Sequence, residues 1–448
     1  MDYDIVVIGA GPAGYVAAIR AGQLGLKTAI IEKNVVGGMC LNWGCIPTKS
    51  IIESAKLYKR IIEDAGKFGI DGIDKKEVSF NWEKAKKRAL SNVTKLTKGV
   101  GFLLKKNNVE IIEGAAKITG KNTISVSNRT IETKNIIIAT GSFQEKIDIH
   151  LPDNVQVHLN KLYDHDTLPE NITVVGKSSV AVELAQFFST IGKKVNLIVD
   201  GERIMPFADT YLSDWMFKKL KKDKVNVIND AKIEGYEDGS LIVNGEKIVS
   251  DIVVNAKMRK GIMPPSELDL GVENGFIKVD SNFMTRIDGI YAIGDVNGLS
   301  YLAQVASAQG LNVVNNINGI KEKLDIKKIP LNMYSIPEVA QIGYTEQELK
   351  DDNIDYKISE FPMSANGKAL AEGHNEGFVR ILSEKKYGEV VGVQIVAPNA
   401  TDLIAEAAAL MQIEGTVYDL AKTVHAHPTV SEIFMEAGFE AVDHAIHK

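Results

Sequence analysis

Asp4-Ile-Val-Val-Ile8, Gly9-Ala-Gly11-Pro12-Ala13-Gly14 and Thr28-Ala-Ile-Ile-Glu32 decide the fold. The first is an apolar, β-branched run with the length of a buried strand. The second has glycines spaced G-x-G-x-x-G and opens a helical pattern that runs from about Pro12 to Gly25. The third is a second short strand that ends in an acid. Strand, helix and strand in that order make a βαβ unit, hence a parallel sheet. Each polar or small position then has a physical reason. Gly9 permits a tight turn, Gly11 lets a pyrophosphate approach the backbone, and Gly14 allows the helix to pack close to the strand. The helix N-terminus supplies partial positive charge, and Glu32 accepts hydrogen bonds from a ribose.

Working outward, a second βαβ unit begins at Asn171-Ile-Thr-Val-Val-Gly176, continues through a helix over about 179–191 and ends with a strand from Lys194 to Val199. Residues near 50–110 are charged and helical in period. Short strands are expected near 109–113 and 123–126, and Asn135-Ile-Ile-Ile-Ala139 ends in Thr140-Gly141. Gly289–Ile293 runs into Gly294-Asp295, followed by a helix from Ala303 to Asn316. From about 328 the pattern changes to strands near 339–343, 377–382 and 389–396 mixed with helices near 401–413 and 430–443. The expected class is α/β: two Rossmann-like dinucleotide-binding domains and a C-terminal α+β domain. The boundaries read as 1–143 and 263–327 for the first domain, 144–262 for the second and 328–448 for the third.

The chain has 448 residues, 45% hydrophobic and 25% charged, with a formal net charge of -6. No basic stripe exists to neutralise phosphates, so nucleic acid is not an expected partner. No stretch approaches the roughly 20 apolar residues that span a bilayer. The N-terminus enters a strand at Tyr3 without a basic or long apolar lead, so a cytoplasmic protein is expected. There are only two cysteines, Cys40 and Cys45. A secreted disulfide scaffold would use many more. A close pair points to catalysis or metal, and no other Cys or nearby His completes a zinc site, so no metal is expected. The spacing can bring the two sulfurs within bonding distance across a helical turn. A helix N-terminus and a nearby cation would raise the reactive thiolate fraction.

Gly37-Gly38-Met39-Cys40-Leu-Asn-Trp-Gly-Cys45-Ile-Pro-Thr-Lys49 resembles the GGTCLNxGCIPSK segment of the FAD-dependent pyridine nucleotide–disulfide oxidoreductase family, and the likeness extends over nearly the whole chain. It implies that Cys40 exchanges with a substrate disulfide or dithiol while Cys45 faces the flavin. Lys49 resembles the family lysine near the flavin ring, and Glu183 its partner. FAD is implied along Gly9, Gly11, Pro12, Ala13 and Gly14, at Glu32 and Lys33, at Gly38 and Met39, at Ala116, and at Ala139, Thr140 and Gly141. Met39 stands where the family usually has Thr beside the flavin phosphates, so a hydroxyl contact is lost. Thr285-Arg-Ile-Asp-Gly-Ile-Tyr-Ala-Ile-Gly294-Asp295 resembles the second FAD motif, in which Asp295 accepts from the ribityl chain. Leu302 and Ala303 lie where the family brings backbone near the flavin, with Gln304 replacing a residue that is often His or Pro. His425-Ala-His427-Pro428-Thr-Val-Ser-Glu432 resembles HxHPTxxE. The likeness implies that His427, with Pro428, serves as acid–base in the other subunit's site and that Glu432 orients it. A homodimer, with residues from about 328 at the interface, follows from the resemblance.

The nicotinamide side departs from the family. Its positions are Gly176, Ser178, Val180, Glu183, Val199, Met258 and Arg259. Ser178 puts a Cβ where the pyrophosphate would approach. Val199 replaces the ribose-binding acid. Asp200 is one step along, which turns a side chain to the opposite face. Met258-Arg-Lys-Gly-Ile262 stands for the family's GRRPN. NAD is the family acceptor. Either it binds despite these changes, or its binding is weakened or lost and another redox carrier takes its place.

The resemblance implies a dithiol oxidase of the dihydrolipoamide-oxidising branch. Its partner would be the acyltransferase core of a 2-oxoacid dehydrogenase complex. The alternative is an FAD disulfide oxidoreductase that uses little or no NAD(P). A mainly structural subunit is the third reading, and the intact Cys40, Cys45, His427 and Glu432 argue against it.

Overall fold

The computed structural model describes residues 1–448. Its first unit begins with β1 (Tyr3–Ile8), α1 (Pro12–Gln23) and β2 (Thr28–Glu32). Two helices, α2 (Gly38–Asn42) and α3 (Cys45–Glu63), carry the cysteine segment. A long helix, α4 (Trp82–Lys106), packs on α3 and is capped by Asn81, whose side chain accepts from the Lys84 N–H. Then come β3 (Glu110–Glu113), β4 (Ala116–Gly120), β5 (Thr123–Val126) and β6 (Arg129–Ile138). The sheet order is β3-β2-β1-β6-β5-β4. β1 lies between β2 and β6 and is parallel to both, with Ile5, Val6 and Val7 fully buried. A strand covered on both faces needs an unbroken apolar run, which is what Asp4–Ile8 supplies after its first residue.

After the short β7 (Ser142–Gln144) the second unit repeats the plan: β8 (Gln156–His158), β9 (Asn171–Val175), α5 (Ser179–Thr190), β10 (Lys194–Ile198), α6 (Thr210–Lys222) and β11 (Val225–Ile228). An antiparallel meander, β12 (Ile233–Glu237), β13 (Ser240–Val243) and β14 (Glu246–Val249), precedes β15 (Ile252–Asn255). The parallel sheet is ordered β11-β10-β9-β15-β8. The chain returns through β16 (Arg259–Gly261), which pairs with β7, and the small ladder of β17 (Val272–Glu273) and β18 (Phe276–Ile277). β19 (Ile290–Ala292) then completes the first sheet beside β6. α7 (Ala303–Ile317) packs on α1, where Gly310 and the alanines Ala13 and Ala17 let the two backbones meet closely.

The last unit is an antiparallel sheet, β20 (Leu331–Met333), β21 (Glu338–Gly343), β22 (Tyr356–Pro362), β23 (Phe378–Glu384) and β24 (Val390–Ala397), ordered β20-β21-β24-β23-β22. The short α8 (Glu346–Asp351) and α9 (Gly367–Ala371) lie between its strands. α10 (Ala400–Gln412) and α12 (Glu432–Val442) cover the sheet, with α11 (Val417–Lys422) against α12. Arg380, 6% exposed, ties this sheet to the second unit. Its guanidinium bonds Gln394 and Glu346 and lies 3.8 Å from Asp209, the cap of α6. No helix is long and apolar enough to cross a membrane.

Candidate active site

The turn after β1 is formed by Gly9 at φ +103°. A Cβ there would lie 2.4 Å from Ala139 O, so the turn needs glycine in both conformation and space. Opposite it, the Gly37-Gly38 turn brings Gly38 onto Gly11, where a Cβ on Gly38 would come within 2.7 Å of Gly11 Cα. The two turns make a bare backbone cradle at the N-terminus of α1, which suits a pyrophosphate. The Glu32 carboxylate accepts from the Ala10 N–H at 2.8 Å and the Asn34 N–H at 2.9 Å, which fixes it at the end of β2.

From this cradle a cleft of about 850 Å³ runs between the two parallel-sheet units. It is lined by Gly9, Gly11, Pro12 and Ala13, by Glu32 and Lys33, and by Gly38, Met39, Cys40, Cys45 and Lys49. Ala139, Thr140, Gly141, Gly294, Asp295, Leu302 and Ala303 complete the flavin-side expectation. Ser178, Val180, Glu183, Met258 and Arg259 line the other side. Gly14 lies beneath the turn, where a Cβ would fall 1.9 Å from Gly9 O. Ala116 does not line the cleft, and its side chain is in the apolar core beside β5 and β6. Gly176 and Val199 are also outside the lining. The cradle and the volume of the cleft fit FAD, and Glu32 could meet its ribose.

Cys40 lies in α2 and Cys45 is the first residue of α3. Both are free thiols, and the Cys40 S–H donates to the Cys45 sulfur. That hydrogen bond is the main reason the Cys45 thiol is lowered to about 7. Burial opposes the shift, and the Lys49 ammonium and Arg259 assist it. The same bond, with burial, pushes the Cys40 thiol well above its usual value. The pair therefore keeps its proton on Cys40 and lets Cys45 ionise first, at a helix N-terminus that favours the anion.

Lys49, one turn along α3, bonds Glu183 Oε2 at 2.7 Å. Glu183 comes from α5 and is 2% exposed. Its Oε1 accepts from the Tyr334 N–H at 2.9 Å, and Lys49 Nζ sits 4.7 Å from the centre of the Tyr334 ring. Burial works against the Lys49 charge, but Glu183 and the Cys45 thiolate more than offset it and raise its pKa. One ion pair thus joins the cysteine helix, the second unit and the C-terminal unit.

Asp295 Oδ2 accepts from Ser142 Oγ at 2.6 Å and from Arg259 Nη1 at 3.0 Å. Nothing in the sequence singles out Ser142, because a lone serine after a strand carries no motif. Trp43, Thr48, Tyr163, Phe207 and Tyr301 also line the cleft. Trp43 and Thr48 lie inside the quoted cysteine segment, whereas Tyr163, Phe207 and Tyr301 come from loops or helix faces, where spacing gives no signal.

His427 and Pro428 do not line the cleft of their own chain. The His427 side chain is 80% exposed, with Nδ1 2.9 Å from Glu432 Oε1. Burial pushes the Glu432 carboxyl up, but the Thr429 N–H and His427 hold it below its ordinary value. The imidazole is thereby oriented with Nε2 pointing away from its own carboxylate partner. Three residues earlier in the chain, Val424 is 90% exposed.

Residues 3–310 match the family described as pyridine nucleotide-disulphide oxidoreductase, and residues 329–438 match the dimerisation domain of the same family. A curated relative from Bacillus subtilis, a dihydrolipoyl dehydrogenase, is 36% identical, with 100% of this chain and 99% of that protein covered. The dihydrolipoyl dehydrogenases of Geobacillus stearothermophilus and Mycoplasma genitalium are 36% and 35% identical, over 100% and 99% of this chain and 98% and 99% of theirs. The crystal structure of LpdA from Mycobacterium tuberculosis superposes with a TM-score of 0.89, covering 97% of this chain and 98% of that one at 23% identity. That likeness concerns the fold.

Proposed function

The chain belongs to the pyridine nucleotide-disulphide oxidoreductase family, and we propose that it is an FAD-dependent dihydrolipoyl dehydrogenase. It would oxidise a lipoyl dithiol through Cys40 and Cys45, as the names of its full-length relatives suggest. The observation that carries this reading is the thiol–thiolate pair itself, with Cys45 lowered to about 7 in a cleft that also holds a dinucleotide cradle. The family's cofactors are FAD and NAD. The match over 329–438 makes the protein a homodimer. The expected partner of its dithiol substrate is the acyltransferase core of a 2-oxoacid dehydrogenase complex.

In the oxidised protein Cys40 and Cys45 form the disulfide. A substrate thiolate attacks Cys40, and Cys45 leaves as the thiolate that its surroundings favour. The second substrate thiol then displaces Cys40. The substrate ends as a disulfide and the protein as the dithiol pair, so two electrons have moved. His427 of the partner subunit takes the proton of the attacking thiol, and Glu432 holds that imidazole in one orientation and stabilises its cation. Lys49 and Arg259 stabilise the Cys45 anion. The turn at Gly9, Glu32 and Asp295 would hold FAD, which would supply the two-electron acceptor for the reduced pair.

Dihydrolipoamide added without oxygen to the yellow holoprotein tests this reading. Loss of the flavin band, or a long-wavelength thiolate–flavin band, is the expected result. An unchanged spectrum with dihydrolipoamide, in protein that dithionite does bleach, would remove it.

A further inference from the structure

The two parallel-sheet units share one register, so the difference between them can be read residue by residue. In the first, the Gly9 N–H donates to Ile31 O at 2.8 Å and the Gly114 N–H to Glu32 O at 2.9 Å. In the second, the Gly176 N–H donates to Ile198 O and the Ala231 N–H to Val199 O, both at 2.9 Å. Val199 therefore stands in the place of Glu32. Glu32 lines the cleft and presents its carboxylate to two backbone N–H groups. Val199 is fully buried in the apolar core of its unit and accepts nothing through its side chain.

Lys177 supplies the polar group at that end. Its Nζ donates to Asp200 O at 2.9 Å and lies 3.5 Å from Asp200 Oδ1. Its own carbonyl accepts from the Met205 N–H at 2.6 Å, which folds the 200–209 loop back onto the fingerprint turn. The loop is held there. The Arg203 guanidinium bonds Pro206 O and Ala208 O, Ser213 Oγ bonds Ile204 O, and Asp209 bonds the Gln341 side chain and the Glu346 N–H. The cleft records the outcome. In the first unit it extends past Glu32 to Asn34 and Val35, but in the second it reaches Ser178, Ser179 and Met205 while Lys177, Val199 and Asp200 lie outside its lining.

We propose that Lys177, clasping Asp200 across the second fingerprint, closes the adenosine end of the nicotinamide-nucleotide site. This chain then grips NAD through its nicotinamide mononucleotide half alone. The proposal rests on the reading above, in which this cleft serves a pyridine nucleotide. A ribose diol needs an acceptor, and hydrogen bonds to a carboxylate are each worth about ten- to a hundredfold in affinity. Val199 offers none, and the Asp200 carboxylate already faces the Lys177 ammonium. A 2′-phosphate does no better, because the Lys177 ammonium is already paired with Asp200 and Glu202 adds a negative charge to the same loop. The flavin-facing end stays open, with Val180, Glu183, Met258 and Arg259 all lining the cleft.

The test titrates the oxidised, FAD-loaded protein with NAD and separately with nicotinamide mononucleotide. The flavin difference spectrum reads binding without turnover. The expected result is a preference for NAD of less than about tenfold, since the adenosine half adds little. A larger preference overturns the proposal. Lys177→Gly opens the clasp at a half-buried position and is expected to tighten NAD by at least about threefold while leaving the mononucleotide unchanged. Equal tightening of both, or of neither, overturns it. Should the unsubstituted protein respond to neither nucleotide, Lys177→Gly decides: NAD binding that emerges supports the clasp, and none overturns it. Dihydrolipoamide added to the same sample separates the two layers. Flavin bleached by the dithiol keeps the functional reading whatever the nucleotide ratio, and flavin left untouched by the dithiol removes that reading on its own.

Discussion

Replacing Cys40 by alanine should raise the Cys45 pKa by a predictable amount. The hydrogen bond from Cys40 is the largest cause of the lowered Cys45 value, which stands at about 7. Hydrogen bonds to charged groups contribute roughly 1.5–3 kcal/mol, and one pKa unit is about 1.4 kcal/mol, so losing this one should raise the Cys45 midpoint by about one to two units. The sign is fixed by which form the bond favours. Cys40 donates to the thiolate, so its removal penalises the anion and the proton is held to higher pH. Cys40→Ser keeps a donor and should leave the midpoint near that of the unsubstituted protein. Only two cysteines exist in the chain, so thiolate absorbance near 240 nm in either variant reports Cys45 alone. The full pH titration is the right assay. A rate of alkylation at one pH would understate the shift, because nucleophilicity rises as the thiol becomes more basic. A Cys40→Ala midpoint that stays near 7 or falls would refute the shared-proton account of the pair.

Three further outcomes follow from the same geometry. Glu183→Leu strands the Lys49 ammonium and leaves the Tyr334 N–H unpaired, which should cost about 3–5 kcal/mol in denaturant unfolding of the holoprotein; Lys49→Met with Glu183→Leu should recover most of it, and a single variant as stable as the parent would contradict the account. His427→Gln should lower dithiol turnover by about 10²–10⁴-fold while leaving dithionite reduction of the flavin intact, and a smaller loss would deny His427 its proton-transfer role. The third concerns acid. The Glu346 carboxyl is held at about 2, first by Lys350 and then by Arg380. A depressed carboxyl stabilises the fold above its unfolded value near 4.5 and loses that contribution as pH falls toward 2. Arg380→Ala should therefore move the acid-unfolding midpoint to higher pH. An unmoved midpoint in a circular dichroism titration would show the network to be idle.

The strand–glycine–helix pattern of both units was legible because buried parallel strands must be continuously apolar and because tight turns admit few residues. Strands such as 28–32 and 171–175 therefore fell close to their expected places. The meander over 233–249 was not legible. Its strands are four or five residues long; β12 and β14 are half-buried to exposed and charged, and the buried, uncharged β13 is too short for a two-residue alternation to stand out. β20 and β22 escaped for a related reason, since Leu331–Met333 is three residues long and Tyr356–Pro362 has a mixed polar face and ends in proline. Within the site, motif residues announced themselves, and the ion pair of Lys49 with Glu183, 134 positions apart, followed from family likeness. Contacts made by loops did not. Ser142 on Asp295 and Lys177 on Asp200 depend on how two turns fold back, and nothing in residue spacing encodes that. The solvent-facing position of His427 is legible only from the structure, where the histidine expected to serve the thiols stands 80% exposed and away from them.

That separation allows the most direct test of the account, in which the thiol pair of one chain is served by the imidazole of the other. Cys45→Ser and His427→Gln proteins, each inactive as homodimers, are dissociated, mixed in equal amounts and reassociated. Half of the dimers then pair unlike chains, and each such dimer regains one intact site, so dihydrolipoamide turnover should return to about a quarter of the unsubstituted value. A mixture that stays as inactive as its two components would contradict the shared site.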